Sequence, residues 1–172
     1  MSEVLDVALS ILKIEIERLN VTSSKPFDVV VASLEAAIGH PDMVAFFEAT
    51  RDARTLAELQ SVVDKGLGRT GLMMFMKLDH GAILRKETGL DTPKIVRFLI
   101  GNPLIMKEMA KHVPDAGSYA PVTILVDERP DGVHLSYDKM TALLAPYGSE
   151  NALAVARDLD SKIEGLLREC AI

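Results

Sequence analysis

Six polar positions in this chain carry chemistry that their neighbours do not explain. Asp79 and His80 stand side by side at the end of an apolar run, where a strand end would border a cleft, and histidine is the side chain best placed to move a proton near neutral pH. The pair therefore reads as a candidate acid–base couple, against the plainer reading of a loop aspartate making a turn beside an exposed histidine. Arg97 interrupts Ile95 and Leu99, and His134 alternates with Ser136 against Val133, Leu135 and Tyr137. Asn102 precedes Pro103, so it is either the cap of a helix or the start of an anion site at that helix's N-terminus. The candidate sites are thus Asp79 and His80 for catalysis and Arg97, Asn102, His134 and Tyr137 for holding a ligand. His80, His112 and His134 are too far apart in sequence to share a helix turn or a strand, so no metal site and no cofactor is expected. Cys170 sits in an apolar stripe and reads as packing.

Composition narrows the possible functions. The 172 residues are enough for one domain with a real core, and with no Trp that core must come from Leu, Ile, Val, Met and Ala. A net charge of −6 with no basic stripe argues against nucleic acid as a partner, because phosphate neutralisation needs a basic surface. One cysteine excludes an intrachain disulfide and makes a reducing cytoplasm the default location. Glu3 and Asp6 lie where a signal peptide would be positive, and no apolar run reaches the roughly 18 residues that span a bilayer, so no membrane partner is expected.

The elements that must position these residues are organised around Lys94 to Val113. Lys94 to Ile100 is a buried strand, and Gly101-Asn102-Pro103 turns it into a helix, with Pro103 suited to the first helical position. Before it, residues 2 to 12 could form a short amphipathic turn or two. Lys13 to Ser23 alternates as a strand, with a change of parity near Glu17-Arg18 that means either a bulge or a late start. A helix follows Pro26 with Phe27, Val30, Val31, Leu34 and Ile38 on its buried stripe and Gly39 as its stop. Residues 40 to 68 read as a helical insertion between that helix and the second strand, Thr55 and Glu58 forming a capping box in its second half and Gly66 and Gly68 ending it. Gly71 to Asp79 is an apolar strand, and His80 to Pro93 either extends it or holds a turn of helix. Val122 to Glu128 and Gly132 to Tyr137 form a hairpin in which Asp131-Gly132 is expected to supply left-handed turn positions. Met140 to Leu144 is a short helical turn, and a long amphipathic helix capped by Ser149 closes the chain. Strands in antiparallel succession with helices on one face make an α+β fold in a single domain, residues 1–172.

Several tracts together carry a likeness: Ser23-Ser24-Lys25-Pro26-Phe27-Asp28, Leu78-Asp79-His80-Gly81, Gly101-Asn102-Pro103, Ala120 to Val126 and Gly132 to Tyr137. On these the chain resembles the bacterial and archaeal family called domain of unknown function 302, over about residues 13–38 and 70–170. The resemblance implies a curved antiparallel sheet similar to the TATA-binding-protein-like class, two main helices on its convex side, and a tendency to form dimers. It implies no activity. One residue pattern points the same way as the dimer. Both parities of Gly71 to Asp79 and of Lys94 to Ile100 are largely apolar, so something must cover the sheet's second face, with Lys77, Arg97, Thr123 and His134 at the rim. The expectation is a homodimer that binds a small, largely apolar ligand or acts in regulation. Its alternatives are an enzyme using Asp79 and His80 on a small anionic substrate, and a partner-binding module using residues 40 to 68.

Overall fold

The protein is described by a computed structural model covering residues 8–172. Five strands form one antiparallel sheet: β1 (Arg18–Ser23), β2 (Met73–Asp79), β3 (Ile95–Gly101), β4 (Val122–Arg129) and β5 (Gly132–Asp138), in the spatial order β1-β5-β4-β3-β2. Seven α-helices accompany them: α1 (Phe27–Ala37), α2 (Met43–Asp52), α3 (Leu56–Gly66), α4 (His80–Thr88), α5 (Pro103–Ala110), α6 (Met140–Leu144) and α7 (Glu150–Ala171).

Alternation along the strands decides which face is covered. Val96, Phe98 and Ile100 of β3, Ile124 and Val126 of β4, and Val133, Leu135 and Tyr137 of β5 share the buried face, and α1 and α7 close over them with Val30, Leu34, Ile163 and Leu167. Helix α7 can do this over its whole length because an apolar residue returns every three or four positions, and Ser149 caps its start by accepting from Ala152 N–H at 3.3 Å. Cys170 lies in the same stripe, and burial pushes its thiol up from the ordinary value, consistent with a packing role.

Three expectations are corrected, and two that stood as alternatives, the late start of the first strand and the helix after Asp79, are decided. The first strand starts late, at Arg18, and residues 8–12 form no helical turn; residues 2–7 lie outside the described part. The bulge sits in β2 instead, at Phe75: Met74 lies opposite Ile100 but Met76 opposite Leu99. That extra residue moves Lys77 to the helix-covered face, opposite Phe98, where its ammonium stands 5.6 Å from the ring centroid and pairs with Glu35 at 2.6 Å. Lys77 is therefore not at the rim of the open face. The hairpin turn at Pro130-Asp131 uses no left-handed position, because proline fixes φ negative at the first central residue; only Gly132 has a positive φ, +139°. The tract left open between His80 and Pro93 begins with a helix, α4, which Asp79 caps.

The sheet's other face is apolar only in its β2–β3–β4 half. Met76, Leu78, Ile95, Leu99 and Leu125 lie there with Arg97 and Thr123, whereas Arg18, Asn20, Thr22, His134 and Ser136 make the β1–β5 half polar. Helix α4 contacts β3 at its Ile95 end, where Gly81 lies against the backbone of Pro93 and Ile95. Met76 remains 49 % exposed.

Candidate functional site

Where the strand β3 runs into α5, the chain borders an apolar groove. Asn102 performs two bonds there: its carbonyl accepts from Leu104 N–H at 2.9 Å, capping α5, and its amide donates to Gly71 O at 3.1 Å, tying the helix start to the entry of β2. Gly101 takes no positive φ, and a side chain there would meet Pro121 and Phe75 at ordinary distances of 3.6 and 3.7 Å. The turn is thus set by Asn102 and Pro103 rather than by glycine freedom. Replacing Asn102 by Ala is expected to cost about 1–2 kcal/mol, for a lost cap and a stranded carbonyl, read as a lower urea midpoint at unchanged slope.

Opposite this junction stand the two helices of residues 40 to 68. Asp42 caps α2 by accepting from Ala45 N–H at 3.0 Å, and Thr55 and Glu58 form the expected capping box on α3. Their apolar faces, through Phe46 and Val63, make a second small core with Met73 of β2, apart from the main one. Between the two cores lies a groove of about 250 Å³, walled by Phe46, Phe47 and Leu59 of the helical pair, Phe75 of the bulge, Pro103 and Met106 of α5, and Pro121 before β4. Phe46 meets Phe47 and Phe75 edge to face, with centroids 5.8 and 6.4 Å apart. Three of the chain's five phenylalanines are spent on this one space. The polar side chains on its wall are already engaged: Asn102 as described, and Thr50 by donating to Phe47 O at 3.0 Å. What the groove offers is apolar surface. Since an apolar cavity of roughly 150 Å³ admits benzene, a somewhat larger hydrocarbon group fits here.

Asp79 and His80 lie elsewhere. Asp79 accepts from Ala82 N–H at 2.9 Å as the cap of α4 and from Arg85 at 2.8 Å. The hydrogen bond from Arg85 holds its carboxyl below the ordinary carboxylate range, the opposite of a base poised near neutrality. It borders a charged cleft of about 230 Å³ with Lys77, Arg85, Asp28, Asp91 and Lys94, in which the cations have carboxylate partners: Arg85 with Asp79, Lys77 with Glu35, and Lys94 with Asp28. His80 is not on that cleft's wall.

The four candidate ligand residues do not converge. Arg97 and His134 share the open face but sit on β3 and β5 with β4 between them, roughly 10 Å apart at ordinary strand spacing. Arg97 donates to Thr123 Oγ1 at 3.0 Å, while its buried Nε finds no partner among the described residues. His134 Nε2 pairs with Asp131 at 2.9 Å, and that hydrogen bond holds the Asp131 carboxyl below its usual value. Tyr137 is in the core, its hydroxyl donating to Asp160 at 2.7 Å. Among the described residues no three His, Cys, Asp or Glu side chains gather as a metal site, and no helix is long and apolar enough to cross a membrane.

Comparison with known proteins decides the family. Residues 47–170 match the family described as "Domain of unknown function DUF302". The chain belongs to it. A crystal structure of an uncharacterized conserved DUF302 protein from Bacillus stearothermophilus superposes with a TM-score of 0.61 at 16 % identity, covering 89 % of this chain and 97 % of that one. At that identity the DUF302 likeness is one of fold. No curated protein matches. The matched segment takes in α3 and part of α2, which the sequence reading set apart as an insertion, and leaves out β1 and α1, for which it had claimed resemblance.

The groove-lining residues were missed as a site. The signal lay in Phe46-Phe47: two adjacent large aromatics on a short helix point some 100° apart, so both cannot enter one core. Phe46 is buried and Phe47 is 56 % exposed at the groove.

Proposed function

We propose that this DUF302 chain binds a small apolar ligand in the groove between the helical pair and the start of α5, and that it does so as a homodimer. The observation that carries the ligand reading is the groove wall itself: aromatic and aliphatic on every side, with its polar side chains already bonded, it can reward only the transfer of hydrocarbon out of water. The homodimer reading is supported by the open sheet face, where Met76, Leu78, Ile95, Leu99 and Leu125 adjoin a half-buried arginine that lacks a carboxylate partner among the described residues. Acid–base catalysis has weaker support, since Asp79 is committed to capping α4 and to Arg85.

The test uses a neutral fluorescent probe, N-phenyl-1-naphthylamine, titrated with the full chain. Saturable enhancement is expected, and Met106→Trp, which puts an indole where the ligand would lie, is expected to weaken binding by about tenfold or more, or roughly 1.4 kcal/mol. A probe that fails to bind, or binds Met106→Trp as well as the parent, removes the groove reading. Sedimentation equilibrium at micromolar concentration tests the dimer separately.

A further inference from the structure

One segment of the chain has the pattern of a strand and no strand to pair with. Residues 12 to 17 read Leu-Lys-Ile-Glu-Ile-Glu, a strict alternation of apolar and charged side chains, yet the described segment 8–17 adopts no regular structure and pairs with neither edge of the sheet. All but one of its apolar members are wet: Leu9 is 90 % exposed, Ile11 82 %, Leu12 53 % and Ile16 52 %, while Ile14 is half-buried. Its far end is anchored, Glu17 O accepting from Lys139 N–H at 2.9 Å just before β1 begins.

The charges decide what the missing partner is. When a strand pairs antiparallel with a copy of itself, residue identities across the axis follow from the choice of central residue alone. A centre at Lys13 sets lysine against lysine, and a centre at Glu15 sets glutamate against glutamate. A centre at Ile14 sets Lys13 against the second copy's Glu15, twice by symmetry, and sets Leu12 against Ile16 on the other face. Leu12, Ile14 and Ile16 then fall on one side and the two complementary Lys13–Glu15 pairs on the other, where Ile11 stands opposite Glu17.

We infer that residues 12 to 17 are a dimerisation strand that pairs antiparallel with the same segment of a second copy about Ile14. This rests on the dimer reading given above and adds where the copies meet; it is independent of the groove. The two-fold ribbon pairs backbone groups that no strand of the chain's own sheet engages and gathers Leu12, Ile14 and Ile16 of both copies into one apolar stripe.

A charge exchange tests it on the full chain. Lys13→Glu alone sets glutamates opposite each other, and Glu15→Lys alone sets lysines opposite each other, so each is expected to raise the dimer dissociation constant about tenfold by sedimentation equilibrium. Mixing the two variants is expected to restore association as a heterodimer, because positions 13 and 15 are then both acidic in one copy and both basic in the other. The double variant, with the two charges exchanged, is expected to regain the homodimer. These side chains touch no core, and unchanged thermal midpoints will confirm the fold. A parent dimer indifferent to both single variants overturns the pairing while leaving a dimer through the open sheet face. A parent chain monomeric at about 100 μM, a concentration at which even a weak specific dimer is populated, overturns the dimer reading and the pairing together.

Discussion

Replacing Asp160 by Ala is expected to lower stability by about 3–5 kcal/mol, because one carboxylate serves four donors at the seam between β5, α6 and α7. Asp160 projects from α7, is 8 % exposed, and accepts from Tyr137 Oη at 2.7 Å, Met140 N–H at 2.8 Å, Thr141 N–H at 3.1 Å and Thr141 Oγ1 at 2.6 Å. Lys139, the residue before α6, makes no side-chain cap, so the free N–H groups at that helix's start are satisfied from the distant α7 instead. Alanine strands these donors where water reaches them poorly. Asp160→Asn should lose less, since its amide oxygen still accepts on one side while its NH2 faces donors on the other. Tyr137→Phe removes the bond to Asp160 and a longer one, 3.3 Å, accepted from Met140 N–H, and is expected to cost about 1–2 kcal/mol. Urea unfolding of the three variants settles the order; an Asp160→Ala midpoint within error of the parent would mean the network carries no net stability.

The same network sets a pH dependence. Burial foremost, then the charge of Asp160 and its hydrogen bond, push the Tyr137 phenol well above its ordinary value. The folded value is raised above the unfolded one, so this contribution is fully present below the unfolded value and is lost as pH rises above it. Stability is therefore expected to decline from about pH 10 upward, more steeply in the parent than in Tyr137→Phe. Equal slopes in the two chains would place the alkaline loss elsewhere.

Local signals were legible wherever a residue acts on its own neighbours. Thr55-x-x-Glu58, Asn102-Pro103 and Ser149 each gave a helix start that the structure places within a residue, because a cap bonds to backbone two or three positions away. The α+β class followed from period and order, and the alternation of Arg97 with Ile95 and Leu99 put it on the right face. The β2 bulge was illegible, since it shows only in the pairing with β3 and in the contact of Phe75 with Phe46, both remote in sequence. That single slip sent Lys77 to the wrong face. The groove was illegible for the same reason: its walls come from separate stretches of the chain that run from Phe46 to Leu159. Tyr137 was named for its hydroxyl, and the hydroxyl is indeed used, but by Asp160 across the core. Gly39, Gly66 and Gly68 were read as helix stops, and the helices do end beside them. Their φ values are not left-handed, however; α1 and α3 end on extended residues, Ile38 and Leu67.

What those glycines do leads to the other large effect. Gly39 N–H and Gly68 N–H both donate to Leu72 O at 2.9 Å, and Gly39 O accepts from Met74 N–H at 2.8 Å, so three stretches of backbone converge where the helical pair leaves and rejoins the sheet domain. A Cβ on Gly39 would run deep into Gly66 O and stand 2.7 Å from Gly68 N; one on Gly68 would stand 2.5 Å from Gly39 N. Backbone cannot rotate aside as a side chain can. Gly39→Ala is therefore expected to cost more than about 3 kcal/mol, at or beyond the upper end of ordinary overpacking, by forcing α3 away from α1 and β2. The loss should fall first on the helical pair, whose core of Phe46, Val63 and Met73 is separate from the main one, so the groove wall is displaced while the sheet with α1 and α7 keeps its packing. Limited proteolysis between residues 40 and 68 and the naphthylamine titration read that directly. Gly101→Ala is the matched control, facing the same groove with ordinary contacts to Pro121 and Phe75, and is expected to change stability by less than about 1 kcal/mol. If Gly39→Ala behaves like Gly101→Ala, the glycine junction does not hold the helical pair in place, and the groove must owe its shape to the Phe46–Phe75 contact instead.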